Sequence, residues 1–302
     1  WCRMVIESIK LEILEIMRRW SLRWIRHQYF LRGKCPGKDK YPGVGLSLRD
    51  HQVPQRKQGP GDDPFDQEEA HIRMKLDRDG SSYSIDMHLK KNRPKGIAIN
   101  GVPIRKAGEL LGLGNFVFFS PEDLNIIKNG PGERRRFLDM ELCQLDSIYL
   151  FHLSNYNKLL LQRNRLLKDY GFYPEAGTML DVIDEQLIQY GTALIRSRRV
   201  FTDQLQEIIG GIHSSLSGRK EDLTVTYEPN AEETEFGQKL QENREKDLRM
   251  KQTMTGPHRD DLGFAVHGVD LRKYGSQGQQ RTTALSLKLA EIEIVKQSVK
   301  DT

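Results

Sequence analysis

The sequence has few cysteines and no long apolar run. Its 302 residues include only three cysteines, Cys2, Cys35 and Cys143, and their wide spacing excludes a disulfide framework and a zinc site built on cysteines. No run of about 18 apolar residues occurs, which excludes a membrane-spanning helix. No secretory or transit segment is visible either. The composition therefore predicts a cytosolic protein with reduced thiols.

Charge is unevenly distributed along the chain. The net charge is +5, and all of it comes from 1–66, because 67–302 contains 34 basic and 34 acidic residues. All three tryptophans and five of the twelve prolines lie in that same first stretch. Since 32–66 shows neither helical nor strand periodicity, taken at face value it is an unstructured basic arm.

From about residue 67 onwards the sequence predicts β-structure. Alternating apolar residues over 71–77 and 82–89, across an Asp-Gly turn, predict a hairpin. Asn100-Gly101 between two short apolar runs predicts a second one. The apolar run 115–120 is typical of a strand buried on both faces. The range 67–130 is therefore expected to be the β-rich part of a lobe.

A long helical pattern begins at Pro131, a residue that suits the first helical turn. Apolar residues at steps of three, four and seven predict two helices of about ten turns each, over 131–167 and 183–212. The connector between them is short and rich in turn residues. This pattern predicts an antiparallel coiled-coil hairpin over 131–217.

The range 218–302 is expected to complete the lobe. Strands are predicted at 223–227 and near His267, and a final helix from about Thr282. The apolar stripe of that helix is predicted to consist of Leu285, Leu289, Ile292 and Val295. The predicted fold class is therefore α/β, with an inserted helical hairpin.

The loop before the last helix carries a phosphate-binding pattern. Ser276, Gln277, Gly278 and Gln279 form an S-x-G-Q core, which places a hydroxyl, carboxamides and backbone N–H groups at a positive helix end. This core resembles the signature motif of ABC-type ATPases, which contacts the γ-phosphate of ATP held by the opposite subunit. The alternative interpretation is a capped loop with no ligand.

Two further clusters are candidates for a function. Arg134, Arg135 and Arg136 lie in the first turns of a predicted helix, where cations oppose the helix dipole. They are expected to contact DNA or phosphate or, alternatively, to form salt bridges with Glu122, Glu133 and Asp139. The range 255–261 combines a histidine, an arginine and two aspartates. That loop indicates a metal or acid/base site or, more commonly, paired surface carboxylates.

Several motifs together resemble the RecF family of bacteria. They are Phe118–Leu124, Gly130-Pro131, Arg134–Asp139, Gly256–Asp261 and Gly275–Arg281. The resemblance runs from about Gln67 to the C-terminus, and the motifs occur in the family's order. It implies an ABC-type ATPase head in the cytoplasm that binds ATP with Mg²⁺ and dimerises on ATP. It also implies binding to single-stranded and gapped DNA, and action with RecO and RecR to load RecA in recombinational repair.

The sequence departs from the family's pattern in two places. The phosphate-binding loop G-x-x-x-x-G-K-[ST] is absent, and its nearest equivalent at Gly37 and Lys38 is followed by Asp39, whose charge would repel phosphates. The acidic strand expected after the last helix is not reached. No residue is therefore predicted to be catalytic or to bind a metal ion, and the chain is expected to be an inactive fragment that does not hydrolyse ATP.

A shift of reading frame over about 13–66 accounts for the missing loop. When 31–40 is read from the second base of each codon, permitted codons give Y-G-E-N-A-Q-G-K-T-N, which contains a complete phosphate-binding loop. Codon degeneracy leaves freedom, but an eight-residue motif with sensible flanks is hard to reach by chance. The same hypothesis explains the tryptophans, the prolines and the lost periodicity of 1–66.

Two related classes of ATPase head provide the rival interpretation. A chromosome-organising protein of the SMC type would have coiled-coil arms of several hundred residues, and the predicted hairpin here is short. The ATPase partner of a repair nuclease would carry a longer arm or a Cys-x-x-Cys at its tip. The predicted tip, 170–178, contains no cysteine.

Overall fold

The computed structural model describes residues 4–13, 69–78, 81–90, 96–105, 107–111, 119–172 and 174–299, together with positions 92, 94, 113, 115 and 117. The predictions for 14–66, including Gly37 and Lys38, lie outside the described residues. The chain divides into two compact units, Trp1–Phe118 with Val299–Thr302 and Phe119–Ser298. Within the described part of the chain, no helix is long and apolar enough to cross a membrane.

The first unit contains a five-stranded antiparallel meander. Its strands follow one another in chain order: β1 (Met4–Ile13), β2 (Glu69–Arg78), β3 (Ser81–Lys90), β4 (Gly96–Ile99) and β5 (Val102–Pro103). Both predicted hairpins are confirmed. In the second hairpin, Asn100 and Gly101 have φ values of 50° and 78°, as a tight hairpin turn requires.

The core of this unit lies on one face of the sheet. Alternate residues of β2 and β3 point to the same side, so that Met74 pairs with Ile85 and Ile72 with Met87. The buried residues of the cluster are all apolar: Met74, Leu76, Ile85, Met87, Ile97 and Leu110.

The strand predicted over 115–120 is wrong. Positions 115, 117, 119 and 120 are not in a strand, and Ser120 begins a short 3₁₀ turn, Pro121–Asp123. The Ser120 hydroxyl accepts a hydrogen bond from Glu122 N at 3.2 Å, and the Asp123 carboxylate accepts one from Ser120 N at 2.7 Å. This capping box explains the error, because Ser-Pro-Glu-Asp is a helix-start signal that directly follows the apolar run.

The second unit is mainly helical. Its helices are α1 (Leu124–Lys128), α2 (Pro131–Leu145), α3 (Ser147–Lys168), α4 (Ala176–Leu216), α5 (Phe236–Glu242), α6 (Arg244–Met250), α7 (Leu271–Tyr274) and α8 (Gln277–Val299). A small antiparallel sheet has the order β6 (Leu223–Glu228), β7 (Asp261–Val266) and β8 (Val269–Asp270). The start of α2 at Pro131 and the strand at 223–227 were predicted, whereas α5 and α6 were not.

The single helix predicted over 131–167 is wrong. Asp146 has an extended backbone conformation, with φ −139° and ψ 111°, and it separates α2 from α3. Its carboxylate accepts a hydrogen bond from Ile148 N at 2.7 Å. An aspartate favours this capping position over a helix interior, so it ends one helix and begins the next.

α3 and α4 pack side by side in opposite directions. Tyr149 bonds to Arg198, whereas Arg163, further along α3, bonds to Asp184, which lies earlier in α4. Midway between these contacts the helices approach closely at Gly191. A Cβ atom there would lie 2.4 Å from the Phe236 ring and 3.0 Å from the Tyr156 ring, so only glycine fits without a shift of its neighbours.

The last helix differs from its prediction in its start and in its buried face. α8 begins at Gln277 rather than near Thr282. Leu285, predicted to be buried, is 42% exposed, and Leu289, Ile292 and Val295 are half-buried. The buried apolar residues are Ala284, Leu287, Ala290 and Ile294. The prediction selected the face with the largest apolar side chains. In the structure, the buried face of α8 is a neighbouring one that also carries two alanines.

Candidate functional site

The S-x-G-Q loop forms the N-terminal cap of α8. Ser276 Oγ accepts a hydrogen bond from Gln279 N at 3.2 Å, and Gln279 Oε1 accepts one from Ser276 N at 2.9 Å. This is a reciprocal capping box. The loop is therefore a capped helix start, which is the feature that the alternative interpretation, a capped loop with no ligand, predicted.

The cap leaves the loop accessible to a ligand. Ser276, Gln277 and Gly278 are exposed, and Tyr274 is 75% exposed. Ser276 uses its oxygen as an acceptor, so its hydroxyl hydrogen remains available for donation. Gly275 fixes the path of the loop, since a Cβ atom there would lie 2.6 Å from Leu271 O. An exposed hydroxyl and a helix N-terminus thus face the same space, which suits an anion.

Arg134 lies in the protein interior. Only 3% of its side chain is exposed, and it forms a two-point ion pair with Asp261, through Nε to Oδ1 at 2.5 Å and Nη2 to Oδ2 at 2.9 Å. Its Nη1 donates to the carbonyl oxygens of Ile126 and Asn129. Four of its five N–H groups donate within the chain, and the side chain is buried, which places Arg134 out of reach of DNA. Arg134 therefore forms an intramolecular salt bridge, as the alternative to DNA contact predicted. Its partner is Asp261, however, and not Glu122, Glu133 or Asp139.

Arg135 and Arg136 lie nearer the surface. Arg135 is half-buried and donates from Nη1 to the backbone oxygen of Asp260 at 2.7 Å. Burial, together with the charge of Arg198, lowers the pKa of Arg135. Arg136 is exposed. The structure therefore separates the three arginines into one interior residue and two accessible ones.

Arg198 joins four parts of the second unit. From α4 it donates to Asp139 of α2, Tyr149 of α3 and, in the loop before β7, to the backbone of Pro257 and the carboxylate of Asp260. Burial alone would lower the pKa of Arg198, but Tyr149, Asp139 and Asp260 outweigh it and raise the pKa. The guanidinium is thus held permanently charged at the centre of this network.

The loop 255–261 is a buried structural element, and its prediction as a pair of surface carboxylates is wrong. Asp260 is fully buried and accepts hydrogen bonds from Arg198, Tyr227 and Asn230 N. Asp261 is engaged by Arg134. Within the described residues, no group of three or more His, Cys, Asp or Glu side chains is placed to hold a metal ion.

His258 is neutral in this loop. Its Nε2 donates to Thr253 O at 3.0 Å, so Nδ1 is the acceptor for the Tyr156 hydroxyl at 2.7 Å. Burial lowers the pKa of His258 to about 4, and the charges of Arg259 and Arg135 act in the same direction. Both ring nitrogens have partners, which gives this histidine a structural role.

A second buried arginine links α3 and α4 near the connector that joins them. Arg163 of α3 donates to Asp184 of α4 at 2.5 Å and to Asp247 of α6 at 2.6 Å. It also reaches Thr253 Oγ1 at 2.9 Å. Neither Arg163 nor Arg198 was predicted from the sequence. The available signal was a charge in the apolar seam, since Arg163 lies three residues after Leu160 and four before Leu167.

The sequence is similar to curated RecF proteins of other bacteria. The DNA replication and repair protein RecF of Lachnoclostridium phytofermentans is 58% identical over 234 residues, which are 78% of this chain and 65% of that protein. RecF of Agathobacter rectalis is 58% identical over 238 residues, 79% of this chain and 66% of that protein. RecF of Clostridium botulinum is 40% identical over 237 residues, 77% of this chain and 65% of that protein.

Over more than three quarters of its length, the chain is similar to RecF. The matched part spans slightly less than two thirds of the length of these curated relatives. No protein-family model matches the sequence. The resemblance inferred from the motifs is confirmed.

Solved RecF structures have the same fold. A structure of the recombination mediator RecF, described as RecF-ATP in the RecFOR pathway, is 28% identical in sequence and has a TM-score of 0.81; the match covers 99% of this chain and 83% of that one. A second structure, described as RecF-ATPrS in the RecFOR pathway, has a TM-score of 0.75 at the same identity and coverage. The α/β class is confirmed as a mixed RecF-type fold with long helices.

Two RecF motifs that are distant in sequence meet in the structure. Arg134 belongs to R-R-R-F-L-D and Asp261 to G-P-H-R-D-D, and the ion pair between them spans 127 residues. Arg198 adds Asp139 of the first motif and Asp260 of the second. The motif residues therefore hold α2 against the loop before β7. Arg134, which the sequence suggested as a ligand contact, has a structural role here.

Proposed function

We propose that the intact protein is a RecF-type recombination mediator that binds ATP and DNA during replication and repair. The proposal is supported by 58% identity to curated RecF proteins and by the fold it shares with RecF structures described with ATP in the RecFOR pathway. The partners would be RecO and RecR, and through them RecA, in the bacterial cytoplasm at the nucleoid.

The accessible cap of α8 is the observation that carries the proposal. Ser276, Gln277, Gly278 and Gln279 would act as a signature loop that contacts the γ-phosphate of ATP bound, with Mg²⁺, by a second copy. The exposed hydroxyl and first-turn N–H groups supply donors, and the helix dipole supplies positive potential. ATP would then join two copies, and DNA binding would follow the population of dimers.

The experiment compares Ser276→Arg with the wild type in the frame-corrected, full-length protein by sedimentation with ATP. Ser276→Arg is expected to abolish ATP-dependent dimerisation, because a bulky cation occupies the space that a second protein surface must approach. ATP binding by the monomer is expected to persist. Ser215→Arg is the matched control, since Ser215 is an exposed serine at the far end of α4. Dimerisation of Ser276→Arg as tight as that of the wild type contradicts the proposal and leaves a capped loop.

DNA contact is proposed for the two accessible arginines of α2. Arg135 and Arg136 reach the surface and remain candidates for this contact. Arg134 does not, because its ion pair with Asp261 holds it in the interior, where it stabilises the helix that carries the other two. Cations on a surface that tracks the phosphate backbone give affinity without sequence preference. Single-stranded and gapped DNA are the expected ligands.

For the domain organisation, we propose an ATPase lobe formed by 67–130 and 218–302, with 131–217 as a coiled-coil hairpin arm. The antiparallel packing of α3 on α4 supports the arm. The range 1–66 is proposed to be out of frame over about 13–66. The matched stretches of 234 to 240 residues support this, since their length is close to that of 67–302.

Nucleotide data for the locus test the frame. Continuous shifted frames over 13–66 that encode G-E-N-A-Q-G-K-T are expected, and stop codons in those frames exclude the hypothesis. The 302-residue chain is expected to show no Mg²⁺-dependent ATP turnover, because Lys38 does not lie in a G-x-x-x-x-G-K-[ST] loop and Asp39 takes the place of the hydroxyl that would bind Mg²⁺.

A further inference from the structure

β6 forms one edge of the small sheet, and α4 runs beside that edge. Among the described residues β6 pairs with β7 alone, in the order β6-β7-β8. Gln206 of α4 covers the first part of the edge. Its Oε1 accepts a hydrogen bond from Val225 N at 2.5 Å, and its Nε2 donates to Leu223 O at 3.4 Å. The carboxamide thus supplies the donor and the acceptor that a neighbouring strand would supply.

The edge continues beyond Gln206 with backbone groups that have no partner. Residues of an antiparallel strand direct their backbone groups alternately toward and away from the neighbouring strand. Since Val225 N–H points away from β7, the carbonyl of Val225 and both backbone groups of Tyr227 point the same way. None of these three groups has a hydrogen-bond partner within the described part of the chain. Unpaired groups of this kind are a template for a further strand.

A groove of about 410 Å³ lies along this part of the edge. It is lined by three residues of α4 and three of β6, namely Arg199, Asp203, Gln206, Val225, Thr226 and Tyr227. Its volume is within the range of about 300–1,000 Å³ that is usual for ligand sites. The α4 residues are spaced by four and three positions, so they face the groove from one side of the helix.

The two charged side chains of the groove differ in their partners. Arg199 forms an ion pair with Glu232, and its guanidinium lies 5.6 Å from the centre of the Tyr227 ring. Asp203 is exposed, and its carboxylate has no ion pair or hydrogen bond with any other described residue. Arg199 is therefore held in the wall of the groove, whereas the charge of Asp203 is available to a cation.

We propose that this groove binds an extended peptide segment of another protein, with a lysine or arginine side chain directed at Asp203. The backbone of the segment would bond to Val225 O and Tyr227 N as an added strand of the sheet. Main-chain bonds give the affinity in this mode, and the carboxylate selects a basic side chain. DNA does not suit the groove, because Asp203 would repel its phosphates. The site lies apart from Ser276 and goes beyond the proposed function.

The test uses two-dimensional NMR of the 302-residue chain made with ¹⁵N-labelled tyrosine, which reports the backbone amide of Tyr227. The probe is the peptide acetyl-Thr-Lys-Val-Lys-Thr-amide, which carries both lysines on one side when it is extended. Two further peptides are its controls. One has glutamate in place of each lysine. The other is N-methylated at the three central residues, which removes their backbone donors and keeps the charge.

The lysine peptide is expected to shift the amide signal of Tyr227 in a saturable way, because this N–H gains an acceptor. Both control peptides are expected to bind at least about fivefold more weakly. The glutamate peptide is repelled by Asp203, and the N-methylated peptide cannot donate to Val225 O. Equal affinity of the three peptides overturns the proposal, as does a lysine peptide that leaves the Tyr227 amide unchanged.

Two variants test the ion pair. Asp203→Asn is expected to weaken binding of the lysine peptide about two- to fivefold, which is the effect of losing an exposed pair. Glu207→Gln is the matched control, since Glu207 is an exposed acid of α4 outside the groove, and it is expected to leave the affinity unchanged. Equal affinity of the wild type and Asp203→Asn overturns the proposed selection of a basic side chain. No ATP is present, so the outcome of the Ser276→Arg dimerisation test does not affect this result.

Discussion

The two units of the chain are built from different kinds of core. Within the described part of the first unit, every buried side chain is apolar, and the cluster centres on Leu76. The second unit also buries charged groups, among them Arg163, Arg198, Asp247 and Asp260. Alternation fixes the register of a sheet, since a slip by one residue would expose the whole apolar face. Helices with a repetitive seam can slide by a heptad at less cost, and a buried ion pair prevents this.

The second unit thus fixes the alignment of its helices with buried ion pairs, whereas the first fixes its strand register with alternating apolar residues. Arg163 has partners on two other helices, and it reaches Asp184 and Asp247 together at only one register of α3 on α4. We infer that these pairs contribute more to specificity than to net stability, because desolvation offsets much of the attraction. The following predictions test that contrast, from the largest expected effect to the smallest.

Arg163→Met is expected to destabilise the protein by about 3–5 kcal/mol, because it leaves Asp184 and Asp247 buried without a cation. The measurement is the free energy of unfolding from urea titration. Arg165→Met is the matched control on the same helix; Arg165 is exposed, and a change within about 0.5 kcal/mol is expected. Replacing Asp184 and Asp247 with asparagine as well should recover part of the loss. Equal costs for the two arginine variants would exclude an ionic core.

Leu76→Ala is expected to cost about 2–4 kcal/mol, since Leu76 is completely buried and its truncation leaves a cavity in an apolar cluster. Val102→Ala, at a position that is 66% exposed, is expected to change the free energy of unfolding by less than about 0.5 kcal/mol. Urea titration under the conditions used for Arg163→Met allows a direct comparison. A negligible cost at Leu76 would mean that this sheet does not depend on its apolar face.

His258→Gln is expected to reduce the loss of stability in acid. The pKa of His258 is about 4 in the folded protein because of burial, whereas the unfolded chain binds this proton below about pH 6.5. The histidine therefore costs stability progressively as the pH falls from about 6.5 to 4, by about 1–2 kcal/mol at pH 5.

Urea titrations of the wild type and His258→Gln at several pH values isolate this effect. Burial raises the pKa of Asp260, which acts in the opposite direction at low pH. That contribution is common to both proteins and cancels in their difference. A difference that does not change between pH 7 and pH 5 would show that His258 is accessible to protons in the folded state.

The local elements of the fold followed from the sequence where one pattern dominated. Alternation and Asn100-Gly101 predicted both hairpins, and Pro131 predicted the start of α2. The prediction failed where a single polar residue overrode a pattern, as Asp146 does between α2 and α3. Seam periodicity records which residues are apolar, but it does not show that one aspartate side chain will bond to the backbone instead.

The candidate site was predictable in its location and only partly in its contacts. The S-x-G-Q loop indicated an exposed helix start, and the structure has one. The partner of Arg134 lies 127 residues away in the chain, beyond the reach of local patterns. Salt bridges were therefore assigned to nearby acids such as Glu133, although the tertiary fold brings Asp261 closer. The same limit hid Arg163 and Arg198, whose partners come from several elements.

The cap of α8 limits which residues evolution can place at position 276. Under the proposed function, Ser276 must accept from Gln279 N and must also leave space and a donor for phosphate. Aspartate would cap equally well but would repel the ligand, and alanine would admit the ligand but lose the cap. Serine meets both demands with the smallest side chain, whereas threonine adds a methyl group and asparagine a larger amide. Among RecF sequences that retain the activity, position 276 should therefore vary far less than the exposed Tyr274 two residues earlier.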